Sequence, residues 1–150
     1  MNDWRQSFVR KLDTIKKHGV ACFEDAAARV ILPVFGLYED FAAANGFQVG
    51  APVQREGVRS FKFALSENAY ALISFKSSSF GRVECLGEAF VPGVGHLDPV
   101  QNAFDAADLN EDQIRGHFEE SLDSFVGALG ARLTAPKAKA PREELVEASA

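Results

Sequence analysis

Phe47 to Lys76 reads FQVGAPVQREGVRSFKFALSENAYALISFK, and the spacing of its bulky side chains decides the fold. Phe61, Phe63 and Leu65 alternate with Ser60, Lys62 and Ala64. Ala71, Ile73 and Phe75 then alternate with Tyr70, Leu72, Ser74 and Lys76. Successive side chains of an extended chain point to opposite faces, so a period of two predicts strands with one face buried and one in water. Gln54 to Gly57 and Ser66-Glu67-Asn68 supply turn residues between them. Upstream, Phe47, Val49, Ala51 and Val53 alternate with Gln48, Gly50 and Pro52, and the missing N–H of Pro52 assigns this strand to a sheet edge. Downstream, past Ser77-Ser78-Ser79, Val83, Cys85 and Ala89 alternate with Arg82, Glu84 and Glu88 as a fourth strand. Strands joined by turns this short pair antiparallel with their neighbours, which predicts a four-stranded meander whose wet face carries Lys62, Lys76, Arg82 and Glu84.

On either side of this stretch the period is 3.6. Asp3 with Gln6 resembles a capping box, and Trp4, Phe8, Leu12 and Ile15 follow at helical spacing until Lys16-Lys17-His18 meets Gly19, predicting a first helix that stops there. A second helical stretch runs to about Ala44, with Phe23, Ala27, Val30, Val34, Leu37, Tyr38 and Phe41 inward, and Asn45-Gly46 closes it. Pro33 removes a donor and crowds the preceding turn, so this stretch is expected to be kinked or split there. From Val91 to Pro99 the chain is rich in Gly and Pro and reads as a loop. Asn110 then caps a last helix with the stripe Ile114, Phe118, Leu122, Phe125, Val126, Leu129 and Leu133. The expected fold is therefore α+β, with two to three N-terminal helices and a long C-terminal helix packed together on one face of the sheet. It forms one domain over residues 1–134. Residues 135–150, almost all Ala, Pro, Lys and Glu with little that is bulky and apolar, read as a disordered tail that could not offset its own ordering entropy.

Charge is distributed unevenly around the net value of −5. Residues 1–18 hold Arg5, Arg10, Lys11, Lys16 and Lys17 against Asp3 and Asp13, a balance of +3. Residues 105–123 hold Asp105, Asp108, Glu111, Asp112, Glu119, Glu120 and Asp123 against Arg115, a balance of −6. Opposite signs at opposite ends predict that the terminal helices lie side by side or pair between subunits. A nucleic-acid surface is not expected of a chain with an isoelectric point near 5.2. The longest apolar run, Val30 to Tyr38, is interrupted by Pro33 and Gly36 and is about half the roughly 20 residues a membrane span needs. The opening residues Asn2-Asp3-Trp4-Arg5 also lack the apolar core of a signal peptide. Cytoplasmic residence follows as the expectation, with Cys22 and Cys85 as buried free thiols rather than a disulfide.

Chemistry-bearing constellations are sparse. In the loop Pro92 to Pro99, His96 lies two residues from Asp98, but two side chains fall short of a metal set or of a base with its orienting partner, and turn-capping accounts for them. His18 at a helix end and His117 among the acids of the last helix have ordinary explanations. Ser77 to Ser79 lack a nucleophile elbow, and Gly93-Val94-Gly95 is too short for a phosphate loop. No cofactor, metal site or catalytic set is expected. The leading expectation is a non-enzymatic interaction module, an adaptor, chaperone-like or regulatory protein that forms a homodimer or holds a protein partner through Leu122, Phe125, Val126, Leu129 and Leu133. The alternative is a small-ligand or lipid-binding domain with a pocket lined by Phe61, Phe63, Phe75 and Val83 between sheet and helices.

Overall fold

A computed structural model describes residues 2–134; the tail expected over 135–150 lies outside the described residues. It is α+β, a sheet covered on one face by helices from both ends of the chain. The helical run at the start is one continuous rod. Helix α1 (Asn2–Ala26) passes through a π-helical turn (Ala27–Ile31) directly into α2 (Leu32–Ala44). Two or three separate helices were expected, and two local facts account for the difference. Gly19 does not end α1. It is buried where the helix crosses the 79–81 turn, and a Cβ built on it would lie 3.1 Å from the Gly81 nitrogen, so glycine here serves close approach rather than termination. Pro33 does not break the rod because the turn before it is widened: the Leu32 N–H bonds to the Ala27 carbonyl five residues back, and the proline ring sits in the first turn of α2. Asn45 and Gly46, at φ +92°, then close α2 as the sequence suggests.

Seven strands, rather than the expected four, build the sheet: β1 (Gln48–Val49), β2 (Val53–Arg55), β3 (Val58–Ser66), β4 (Ala69–Ser78), β5 (Arg82–Val91), β6 (Gly95–His96) and β7 (Val100–Asp105). All neighbours pair antiparallel. β1 and β2 share one edge of β3, interrupted by Gly50-Ala51-Pro52, which agrees with the edge position that Pro52 demands. β6 and β7 share the free edge of β5, so the seven segments occupy five lanes of a meander. β7 extends the sheet beyond the expected loop, with Val100, Asn102 and Phe104 half-buried on the helical side.

The inner face follows the alternation read from sequence. Phe61, Phe63, Ile73, Phe75 and Val83 have no solvent exposure, while Lys62, Lys76, Arg82 and Glu84 face water. Leu65 departs from it: the register slips between Ala64 and Ser66, and the side chain is 41% exposed. Phe118 of α3 (Glu111–Thr134) stands at the centre of the core, with ring centroids 5.8, 6.2 and 5.5 Å from Phe61, Phe63 and Phe75, and Phe35 stacks on Phe61 at 4.3 Å. Each such ring contributes about 1.5–3 kcal/mol on burial without any hydrogen-bond obligation. Asn110 caps α3 in a reciprocal box: its Oδ1 accepts from the Gln113 N–H at 2.9 Å, and its own N–H donates to Gln113 Oε1 at 3.1 Å.

The rod is fastened to the sheet by a partly buried ion pair. Arg59, only 7% exposed, donates to Glu24 through Nη2 at 2.6 Å and Nη1 at 3.2 Å, and Nη1 also reaches the Arg55 and Val58 carbonyls. The Gly57 N–H donates to the second oxygen of Glu24 at 2.8 Å, so one carboxylate holds both the side chain and the turn of the β2–β3 hairpin. The hydrogen bonds from Arg59 hold the Glu24 carboxyl below its ordinary pKa, against a smaller opposing effect of burial.

Candidate docking surface

From Asp3 to His18 every side chain of α1 is exposed except Ser7 and Leu12, which are half-buried. The helix has simply run past the sheet. Its heptad-like row Phe8, Leu12, Ile15, Gly19, Cys22, Ala26 explains why: the second half of the row lies on the sheet and its turns, whereas the first half continues in the same direction, past the described residues of the sheet, and is exposed but for Leu12. Trp4 is 68% exposed, Phe8 51%, Val9 52% and Ile15 47%. Trp4 and Phe8, one turn apart, stack with centroids 5.3 Å apart, which presents them as one apolar plate.

The plate continues into a cleft of about 350 Å³ where α1 meets the 79–81 turn, lined by Ile15, His18, Gly19, Cys22 and Phe80 with Asp105 and Asp108 at its rim. Phe80 is 74% exposed and adopts φ +68°, a left-handed conformation that costs a side chain with a Cβ about 1–2 kcal/mol. The following Gly81, at φ +77°, takes the same region at no such cost. In the cleft the Cys22 Sγ lies 3.5 Å from His18 Nε2. Cys22 is half-buried rather than buried as expected, while Cys85 is buried and its thiol is pushed up to about 12. Among the described residues, no group of three His, Cys, Asp or Glu side chains could hold a metal ion.

The expected partner stripe on α3 is largely consumed by the core. Phe125 is fully buried, and Leu122 and Leu129 are half-buried against it, because the strip of α3 that faces β4 and β5 is wider than a coiled-coil seam. Val126 (49%) and Leu133 (73%) remain exposed. Val126 stands two turns along from Glu119, on the flank of α3 turned to α2, while Leu37 (55%) and Phe41 (67%) of α2, expected inward, are exposed. Tyr38 joins the two helices by stacking on Phe118 at 5.3 Å and donating its hydroxyl to Glu119; burial and that carboxylate together raise its pKa. The resulting groove is apolar at its floor and acidic at its wall, with Glu119 and Asp123 exposed.

The other candidates are dispersed. Phe61, Phe63, Phe75 and Val83 do converge, but the Phe118 ring occupies the space between them and leaves no exposed atom at any of the four. His96 lies in the short β6 edge against Phe90, at 5.0 Å, and Asp98 is exposed beyond it; among the described residues no hydrogen bond joins them. His117, read from sequence as lying among the acids of the last helix, is buried beneath β5 and β7. Its Nδ1 accepts from Asn102 at 2.9 Å, and its Nε2 faces the Leu86 carbonyl without closing a full hydrogen bond. Burial holds its pKa below the ordinary value, against smaller opposing effects of that carbonyl and Glu120. The sheet's open face carries a shallow groove over Ser74, Lys76, Glu84, Leu86 and Gln101, where the cross-strand pair Lys76 and Glu84 mixes the two signs.

None of the ion pairs among the described residues involves Arg5, Arg10, Lys11, Lys16 or Lys17. No helix of the described residues is long and apolar enough to cross a membrane. Comparison with protein families, with curated proteins and with solved structures finds no match to this chain.

Proposed function

We propose that this chain is a non-enzymatic interaction module, adaptor-like or chaperone-like, whose docking element is the first half of α1. The observation that carries the reading is the row Trp4, Phe8 and Ile15, exposed on a helix whose continuation along the same face is core. Water-exposed Trp, Phe and Ile contiguous on one helix face mark an interaction site, whereas apolar side chains scattered singly need no such explanation. Trp4, Phe8 and Ile15 are each already a third to a half buried, so docking gains roughly half of the 1.5–3 kcal/mol of full burial per side chain, and in combination this helps offset the ordering of a partner. The interleaved Arg10, Lys11, Lys16 and Lys17 favour a partner that is acidic as well as apolar. Neither nucleic acid nor a membrane belongs to the proposal, and the two free thiols fit a reducing, cytoplasmic setting.

The test compares two baits in affinity capture from the source cell: the unaltered chain and a Trp4→Ser, Phe8→Glu, Ile15→Glu variant. A protein held by the first and lost from the second is the expected result. If both baits retain the same set, α1 is not the docking element and the reading fails.

A further inference from the structure

Taking that reading as given, we propose that the partner of the α1 docking helix is a second copy of this chain, bound reciprocally along its α2–α3 groove. The two surfaces match in chemistry. One offers Phe8 and Ile15 flanked by Lys11 and Lys16; the other offers Leu37, Phe41 and Val126 flanked by Glu119 and Asp123. Their lengths are also compatible. Residues 2–18 extend about 25 Å at 1.5 Å per residue, and α2, with 13 residues the shorter wall of the groove, extends about 20 Å. Among the described residues no ion pair joins the two surfaces within one chain, and Asp123 and the basic side chains of α1 stay exposed.

Pairing of α1 with the α1 of a second copy is the competing dimer. It would bury Phe8, Leu12 and Ile15 equally well, but it sets the +3 end of one chain against the +3 end of the other. Exchange of α1 onto the acidic groove sets unlike charges together twice, once in each direction around a two-fold axis, and closes the assembly at two copies.

Light scattering after gel filtration at about 50 μM and low salt reads the mass, and twice the 16.3 kDa of the chain is expected. Lys11→Glu with Lys16→Glu should weaken the dimer at least about tenfold, and so should Glu119→Lys with Asp123→Lys. Combining all four substitutions should restore it, a rescue that misfolding could not produce. A wild-type chain that stays monomeric overturns the proposal. So does a dimer that ignores the α3 reversal, the signature of α1 pairing with α1, and so does failure of the four-site combination to recover. A monomeric chain whose capture of some other protein still depends on Trp4, Phe8 and Ile15 would sink the second copy as partner while leaving the docking role of α1 standing.

Discussion

Gly87 makes room for Ser121 of α3 against the sheet. A Cβ there would sit 2.7 Å from the Ser121 Cβ and closer still to its hydroxyl, inside any tolerable contact. Gly87→Ala should therefore cost at least about 2 kcal/mol by overpacking, and Ser121→Gly added to it should recover part of the loss, both read from urea midpoints. Phe80 carries the opposite kind of strain. Relief of its left-handed backbone by Phe80→Gly, less the flexibility glycine adds to the unfolded chain, should leave a net gain of about 0.5–1 kcal/mol while weakening whatever binds beside Ile15. His117 gives a pH signature. With its folded pKa lowered, the unfolded chain binds the proton more readily, so the stability tied to the neutral ring is complete above about pH 6.5 and is lost as pH falls from there toward the folded value. Thermal unfolding of the wild type should fall relative to His117→Gln between pH 7.5 and pH 5; parallel curves would show that the ring titrates alike in both states.

Among the elements, the rod from Asn2 to Ala44 depends on Glu24 for its anchorage. Glu24→Gln keeps the shape but strands the Arg59 guanidinium, whose Nε already has no partner, so a loss of about 2 kcal/mol is expected in urea titrations at neutral pH. Because the Glu24 pKa is lowered in the folded state, this contribution is present above the ordinary carboxylate value and disappears as pH drops through the lowered one, well below the window of His117. The elements differ in how plainly the sequence announces them. β3, β4 and β5 are legible because alternation is a local property, and α3 is legible because Asn110 and Gln113 form its cap from four neighbouring residues. The rod was not, since Gly19 and Pro33 are ordinary stop signals whose meaning here is set by a turn some sixty residues away and by a widened helical turn. β7 escaped notice because Asn102 occupies an inward position, satisfied by His117 and Glu120 from another element.

At the scale of the whole molecule, the docking surface divides in the same way. The row of Trp4, Phe8 and Ile15 could be read from helical spacing, but amphipathic spacing promises a buried face, and only the length of the sheet shows that this one overshoots it. For the same reason Phe8→Glu and Ile15→Glu should change the unfolding free energy of the isolated chain by no more than about 0.5 kcal/mol while abolishing association, a separation measurable by running urea titration and light scattering on one sample. The lane order of the sheet has a further consequence, for folding kinetics. Every lane pairs with the one next to it along the chain, so β2 to β5 can zip by short loop closures. Tyr38 and Glu119, by contrast, meet across 81 residues. The meander should therefore nucleate early and the seam between the two ends of the chain should close late, so that weakening the seam at Tyr38 quickens unfolding far more than it slows refolding.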